Sequence, residues 1–219
     1  YHFYANGDLT EPDAAVYDRT KKLAEHTRDI VAIVRRESPR KPIPVWMDEY
    51  NISWGWWNND PRMHDHKGAV FDALSMFAAL DNGAVATAAW NERDGVYGKM
   101  DADGGLRVGG NLYTVANRYL VGKRVATTSS LPDAVVPFAV LRGGARVLAL
   151  VNRGATDTAV TVKELRGTYV QYRIAADGYT VTDGVAAADL AAGAYVLPEN
   201  SVTVLVPESV AGTGLRARR

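Results

Sequence analysis

The sequence contains no cysteine among its 219 residues. This absence excludes disulfide bonds, cysteine-based zinc sites and catalysis by a thiol, although it leaves the redox compartment open. Acidic and basic residues balance at 25 each, so no net field favours nucleic acid or an anionic membrane surface as a partner. No apolar run approaches the length of a membrane-spanning helix, and no signal peptide is visible.

Several catalytic signatures are also lacking. There is no Gly-x-Ser-x-Gly elbow, no phosphate-binding Gly-Lys loop and no glycine-rich turn between a strand and a helix. Serine hydrolysis, nucleotide chemistry and a dehydrogenase-like domain therefore have no support. His64, Asp65 and His66 could ligate a metal, but two histidines two positions apart in a loop are a weak signal, and we expect no metal site there. Residues 62–66 are better interpreted as the rim of another site.

Residue types are unevenly distributed along the chain. All five tryptophans and all four histidines lie within the first 90 residues, whereas valine, threonine, alanine and glycine dominate beyond about residue 121. We expect residues 1–120 to carry the chemistry, residues 121–207 to form an accessory domain, and residues 208–219 to be a flexible tail. The chain opens on a strand-like segment, which we interpret as the later part of a longer protein.

Strands and helices alternate in the first part. Such alternation predicts parallel strands with helices packed outside them. Three strand–helix units are too few for a closed sheet, but they fit about strands 6–8 of a (β/α)8 TIM barrel, whose active site lies at the carboxyl ends of the strands. The predicted strands cover residues 1–5, 43–50 and 84–90, and the predicted helices cover residues 13–38, 66–80 and 112–120.

The second part has short strands and turns instead of helices, which predicts an antiparallel β-sandwich. The fold class is thus α/β plus all-β. Glycine pairs and Arg-Gly or Asp-Gly steps, at residues 143–144, 153–154, 177–178 and 183–184, supply the predicted turns. The candidate strands are 135–141, 146–151, 158–162, 169–173, 179–182 and 202–206.

The stretch from Ile43 to Trp57 organises the first part. Prolines at 42 and 44 prevent a helix, and a short apolar run then leads to Asp48 and Glu49 at the strand end. A loop with three tryptophans follows. A strand that presents a carboxylate next to exposed indole rings suits a sugar, whose C–H face stacks on an aromatic ring. Strand alternation alone does not choose between the acids, because it points Asp48 and Glu49 to opposite faces, Glu49 with Val45 and Met47.

Residues 46–51, with the letters WMDEYN, resemble the nucleophile strand of retaining glycoside hydrolases with a (β/α)8 barrel. They are most similar to family 39, with the arabinofuranosidases of family 51 second. His2-Phe3-Tyr4 resembles the His-x-Tyr end of strand six, and Trp90 resembles the tryptophan that floors the subsite at the end of strand eight. Residues 197–205 resemble the last strand of the following sandwich.

The resemblance implies that Glu49 is the nucleophile of a family 39-like glycosidase, a β-xylosidase or related enzyme, which needs no metal or organic cofactor. Tyr4 would donate a hydrogen bond to Glu49 and help keep it ionised, with half-buried packing as its alternative role. His2 would hold a neighbouring acid or a substrate hydroxyl, or serve as a core histidine. The expected substrate-binding residues are His2, Tyr4, Asn51, Trp54, Trp56, Trp57, Trp90 and Glu92.

The general acid/base of the resembled enzymes sits on strand four, which we expect to lie outside this chain. The chain would then be a fragment, one part of a nicked enzyme, or a piece completed by a partner that supplies the rest of the barrel. Glu92 is a weaker candidate for the second acid. The rival interpretation is a non-catalytic carbohydrate-binding or interaction fragment. The typical substrates of the resembled family favour secretion over a cytoplasmic location, and the sugar itself stays open between xylose, arabinose and uronic acids.

Overall fold

A computed structural model of the protein describes residues 1–7 and 9–212. Contacts divide the chain into two units, one of residues 1–110 and one that begins at Asn111. Composition alone places the boundary slightly later, and the assignment of the parts as barrel, sandwich and tail stays a prediction. No helix in the described ranges combines the length and the apolar character needed to cross a membrane.

The first unit alternates strands and helices, as the apolar spacing predicts. The strand predicted over 43–50 is shorter at its start and is divided in two, and the one predicted over 84–90 shrinks to two residues. In chain order the elements are β1 (His2–Tyr4), α1 (Asp13–Glu37), β2 (Trp46–Met47), β3 (Glu49–Asn51), a 3-10 helix (Pro61–His64), α2 (His66–Asp81) and β4 (Ala86–Thr87).

Both strand pairs of this unit are parallel. β1 pairs with β3, and β2 pairs with β4. Because β2 and β3 are consecutive pieces of residues 46–51, this segment runs between the other two strands. The N–H of Trp90 donates to the carbonyl oxygen of Tyr50 over 2.9 Å, which continues the contact beyond β4. The described residues of the unit therefore contain three neighbouring parallel segments, and no closed barrel.

Helices cover one face of these strands. Val16, Leu23 and Val31 are buried at helical spacing along α1, which contacts α2. The ring of Phe3 on β1 lies nearly parallel to the ring of Phe71 in α2, with centroids 6.4 Å apart. Burial extends over most of α2, which is typical of a helix enclosed on several sides. The sheet face toward α2 is thus the packed one.

The second unit contains every strand predicted for it and two further ones, β5 and β11, which are only three residues long. It begins with helix α3 (Gly110–Tyr119), whose first residue lies at the boundary. The following elements are β5 (Lys123–Val125), β6 (Val135–Arg142), β7 (Ala145–Asn152), β8 (Thr158–Val160), β9 (Thr168–Ala175), β10 (Gly178–Ala186), α4 (Ala187–Ala191), β11 (Tyr195–Leu197), β12 (Ser201–Pro207) and α5 (Glu208–Ala211).

Six of these strands form one antiparallel sheet in the order β10–β9–β12–β7–β6–β5, and β11 pairs with β8 separately. Gly143 and Gly144 make the turn between β6 and β7 with φ values of 57° and 82°, which glycine adopts without strain. The turn predicted at residues 183–184 is wrong. This step lies inside β10, where the pairing with β9 shifts between Thr182 and Val185. The extra residues form a bulge there rather than a reversal.

An apolar core lies against one face of the six-stranded sheet. Leu148, Leu150 and Leu205 of the sheet pack with Leu190 of α4 and Leu197 of β11. The small sheet and α4 therefore cover this core. A large antiparallel sheet is established for the unit, and its description as a sandwich stays a prediction. The tail predicted from residue 208 begins as α5, and residues 213–219 lie outside the described ones.

Candidate active site at the ends of the parallel strands

Glu49 stands at the start of β3, between two side chains of β1. The hydroxyl of Tyr4 donates a hydrogen bond to Oε1 of Glu49. Nδ1 of His2 lies 3.6 Å from the other carboxylate oxygen, Oε2. The Glu49 side chain retains 23 % of its exposure, so one edge of the carboxylate is reachable. Burial raises the pKa of Tyr4, and the bond to Glu49 raises it further, so this hydroxyl keeps its proton.

These side chains share the face that points away from α2. β1 and β3 pair in register, with Phe3 opposite Tyr50 and His2 opposite Glu49. Paired residues of neighbouring strands point to the same face, and successive residues point to opposite faces. Since Phe3 packs on Phe71 of α2, His2 and Glu49 lie on the other face.

Asp48 and Glu49 turn toward the same imidazole, and the prediction that they point to opposite faces is wrong. Nε2 of His2 lies 3.7 Å from Oδ1 of Asp48, while Nδ1 lies 3.6 Å from Glu49. The reason is a break in the strand: β2 ends at Met47, β3 begins at Glu49, and Asp48 belongs to neither. Strict alternation would place Met47 and Glu49 in the same surroundings. Met47 is instead fully buried, whereas the Glu49 side chain is 23 % exposed.

Asn51 is buried and supports the strand end. Its side-chain amide donates to the carbonyl oxygen of Trp90, and its Oδ1 accepts from the N–H of Ile52 over 2.8 Å. Trp90, 45 % exposed, is thereby held at the end of the third parallel segment, and the peptide bond that follows it is cis. Glu92 is exposed two residues later. Substrate contacts of Asn51, Trp90 and Glu92 stay predictions.

The tryptophan loop, residues 54–57, is strongly exposed. Trp54, Trp56 and Trp57 keep 57 %, 70 % and 63 % of their accessible surface. Trp57 stands perpendicular to Trp54, with ring centroids 4.9 Å apart, and meets Trp56 edge-on as well. A Cβ built on Gly55 would lie 2.7 Å from the Trp57 ring, so any larger residue there would displace the ring from its present packing. The loop therefore exposes indole faces while packing against itself.

Sequence reasoning missed Tyr97. It is 7 % exposed in the segment after Trp90, and its hydroxyl donates to the carbonyl oxygen of Trp54 over 2.9 Å. Asp94 shapes this segment by accepting hydrogen bonds from the N–H groups of Val96, Tyr97 and Gly98. Burial acts to raise the pKa of Asp94, but these bonds outweigh it, so the pKa lies below its ordinary value. The signal in the sequence was Asp94 followed by two nearby glycines.

The candidate metal ligands have structural partners instead. Nε2 of His64 lies 2.7 Å from the carbonyl oxygen of Val96, and Asp65 caps α2 by accepting from the N–H of Lys67 over 2.7 Å. Residues 1–7 and 9–212 contain no group of three or more His, Asp or Glu side chains suited to a metal. Arg62 does not shape a rim, because it is buried in an ion pair with Asp60 at 2.6 Å.

No protein-family model matches the sequence, and no curated protein does either. Solved structures do match the fold. A bifunctional glucanase-xylanase from a metagenome library, CelM2, gives a TM-score of 0.61 at 17 % identity, covering 93 % of this chain and 42 % of that one. The family 30 subfamily 8 xylanase Xyn30A of Clostridium acetobutylicum gives 0.54 at 16 % identity, covering 74 % and 42 %.

A family 39 β-xylosidase of Caulobacter crescentus gives a TM-score of 0.51 at 14 % identity, covering 81 % of this chain and 48 % of that one. The chain thus spans less than half the length of these three structures. At such low identity the likeness establishes a glycoside hydrolase fold. Because family 30 and family 39 both appear, it does not single out family 39.

Proposed function

We propose that the protein is a retaining glycoside hydrolase of family 39 type, and that this chain is its C-terminal portion, strands 6–8 of a (β/α)8 barrel followed by a β-sandwich. The observation that carries the proposal is the position of Glu49. It stands at the break between β2 and β3, hydrogen-bonded by Tyr4 and 3.6 Å from His2, with exposed indole rings in the same unit. The shared fold of solved glycosidases supports the same class of reaction.

Glu49 would act as the nucleophile. Tyr4 occupies Oε1, so Oε2 is the oxygen available for attack on the anomeric carbon. The bond from Oε2 to that carbon forms as the glycosidic C–O bond breaks, and the leaving oxygen takes a proton from a general acid. Water, deprotonated by the same group, then displaces Glu49 and releases the sugar. This chemistry uses no metal or organic cofactor.

Retention requires a second carboxyl group about 5–5.5 Å from the nucleophile. We assign it to a part of the barrel other than residues 1–219, which makes that part the partner of this chain. Glu92 is the weaker choice, since it is exposed in the segment after Trp90. Trp54, Trp56, Trp57 and Trp90 would stack on sugar rings, with His2, Asn51 and Glu92 as polar contacts. Secretion likewise stays a prediction.

The test replaces Glu49 by Gln and by Ala in the complete protein, with an aryl β-xyloside as the first substrate. We expect a loss in kcat of at least about a thousandfold, as for removal of a nucleophile. The adjacent Asp48→Asn is the matched control, because both carboxylates lie near His2. Its loss should stay below about tenfold. A 2-fluoro glycoside with a good leaving group should label Glu49 covalently. An E49Q variant that retains most activity would rule out the assignment.

A second candidate function is non-catalytic carbohydrate binding. The observation that favours it is the exposure of three indole rings within four residues. In that case the complete protein would hydrolyse no glycoside but would bind oligosaccharides. Replacing Trp54, Trp56 and Trp57 by Ala would abolish the binding, whereas E49Q would leave it unchanged.

A further inference from the structure

Tyr97 joins two segments of the first unit that are far apart in sequence. Its hydroxyl donates to the carbonyl oxygen of Trp54, 43 residues earlier, over 2.9 Å. The tyrosine is almost fully buried, whereas the tryptophan that it holds is 57 % exposed. A buried donor therefore reaches the backbone of the tryptophan loop at the loop's first residue.

The segment around Tyr97 is built to hold that position. Oδ1 of Asp94 accepts from the N–H groups of three consecutive residues, 96–98, which fixes the backbone on both sides of Tyr97. A Cβ on Gly98 would lie 2.2 Å from the carbonyl oxygen of Met100, so the chain is too close there for any side chain. The hydrogen bonds to Asp94 and the close approach at Gly98 both fix the backbone that carries the Tyr97 ring.

Two further contacts anchor the same segment to its surroundings. Nζ of Lys99 lies 2.6 Å from Oδ2 of Asp72 in α2, and both side chains are at least nine-tenths buried. The carbonyl oxygen of Val96 lies 2.7 Å from Nε2 of His64. Tyr97 is thus placed between an ion pair on one side and an imidazole contact on the other. Removing one partner of such a buried pair would leave an uncompensated charge, which resists separation of this segment from α2.

Tyr97 also lies within electrostatic reach of Glu49. Burial raises the pKa of Tyr97, and the negative charges of Asp94 and Glu49 raise it further. The hydroxyl therefore stays protonated and remains a donor to Trp54. The loop begins five residues after Glu49 along the chain, and the bond from Tyr97 fixes it at its first carbonyl, so it is well placed to hold sugar units next to the one that reacts.

We propose that Tyr97 is a positioning residue that fixes the tryptophan loop beside Glu49, so that the indole rings hold the sugar units neighbouring the cleaved bond. This inference rests on the proposed function. Tyr97 itself need not touch substrate, since it acts through the backbone of Trp54. It should affect long substrates more than short ones.

The test compares Tyr97→Phe with Tyr172→Phe, a matched control in the second unit. Both changes remove one hydroxyl from a ring that is less than a tenth exposed, with hydrogen bonds of 2.9 and 3.0 Å. Binding is measured by calorimetry in the Glu49→Gln background of the complete protein, which prevents turnover. The probes are xylotetraose and cellotetraose.

We expect Tyr97→Phe to weaken binding of the preferred tetrasaccharide about threefold to tenfold, and Tyr172→Phe to change it less than about twofold. With Glu49 intact, the KM for the tetrasaccharide should rise by the same factor, while KM and kcat for a one-sugar aryl glycoside stay within about twofold. Equal effects of the two variants, or an equal loss of kcat on both substrates, would overturn the proposal.

A double-mutant cycle with Trp54→Ala tests whether Tyr97 acts through the loop. With the Trp54 indole removed, Tyr97→Phe should weaken binding by a smaller factor than in its presence, because only Trp56 and Trp57 remain on the loop, and fully additive losses would contradict the inference. The test of Tyr97 can fail independently of the test of Glu49 as the nucleophile. Full activity of E49Q would reject the proposed nucleophile, and the role of Tyr97 would then be judged from the KM comparison with Glu49 intact. If E49Q is inactive and Tyr97→Phe leaves tetrasaccharide binding unchanged, only the role of Tyr97 is rejected. If the E49Q protein binds neither xylotetraose nor cellotetraose, the role of Tyr97 is rejected as well.

Discussion

Tyr4 and Glu49 are 45 residues apart in the sequence, and the tyrosine hydroxyl donates a hydrogen bond to one oxygen of the carboxylate. They stand on neighbouring parallel strands whose ends coincide. The bond occupies Oε1 and leaves Oε2 facing His2. The Tyr4 side chain therefore distinguishes the two carboxylate oxygens of Glu49.

Replacing Tyr4 by Phe should lower kcat on an aryl β-xyloside roughly tenfold to a hundredfold, the value of a hydrogen bond to a charged group. The reason is that Glu49 would lose the donor that orients it. KM should change by less than about threefold, because the hydroxyl is already engaged with Glu49. Steady-state kinetics of the complete protein measure both quantities.

The control for this change is Tyr195→Phe, which removes a hydroxyl that donates to Gln171 in the second unit. It should leave kcat unchanged. A Tyr4→Phe variant with wild-type kcat would show that the bond to Glu49 has no catalytic consequence.

Replacing Gly98 by Ala should destabilise the protein by about 1–3 kcal/mol, the usual cost of overpacking. The added Cβ would lie 2.2 Å from the carbonyl oxygen of Met100 and 2.4 Å from the N atom of Asp94. Gly95 in the same segment is the matched control, because a Cβ there meets nothing within 4 Å. Urea unfolding measures both variants, and equal stabilities would mean that the close approach at Gly98 relaxes without cost.

Alkaline pH should destabilise the second unit through Tyr195. Burial raises the pKa of Tyr195 to about 12, against an ordinary value of 10.0. Between these pH values the unfolded chain has lost the tyrosine proton that the folded chain keeps, so deprotonation stabilises the unfolded state relative to the folded one. The stabilising contribution is fully present below about pH 10 and is lost as the pH rises through about 12.

Urea unfolding at pH 9, 10 and 11 checks this sign, and absorbance at 295 nm follows tyrosinate formation. The free energy of unfolding should fall across the series. In Tyr195→Phe the slope of this free energy against pH should be less steep, by the amount that corresponds to at most one proton. Tyr4 and Tyr172 act in the same direction, because burial raises the pKa of each. An equally steep fall in Tyr195→Phe would exclude Tyr195 as a contributor.

Most elements of the fold could be predicted from apolar spacing. The periodicity of α1 follows from its buried face, whereas α2 is apolar and buried around most of its surface, and Asn82-Gly83 correctly ends α2. Five of the six predicted strands of the second unit are seven to nine residues long, and runs of that length between turn signals were recognisable. β5 and β11 were not, since a strand of three residues carries too little pattern.

The site could be predicted in part. Residues at the ends of neighbouring parallel strands meet, which is why His2, Tyr4 and Glu49 were expected together. The common orientation of Asp48 and Glu49 could not be predicted, because it depends on one residue that leaves the strand. Tyr97 was missed because its partner is a backbone carbonyl 43 residues away, which no spacing rule identifies.

By itself, then, the sequence determined that two carboxylates, Asp48 and Glu49, follow the apolar run of residues 45–47. It also determined the alternation of parallel strands and helices and the antiparallel second part. These follow from local propensity and from which side chains avoid water. Only the tertiary structure decided which oxygen of Glu49 is free, which face Asp48 takes and what holds the tryptophan loop. Those outcomes depend on distances of a few ångströms between segments distant along the chain, and such distances are settled by packing.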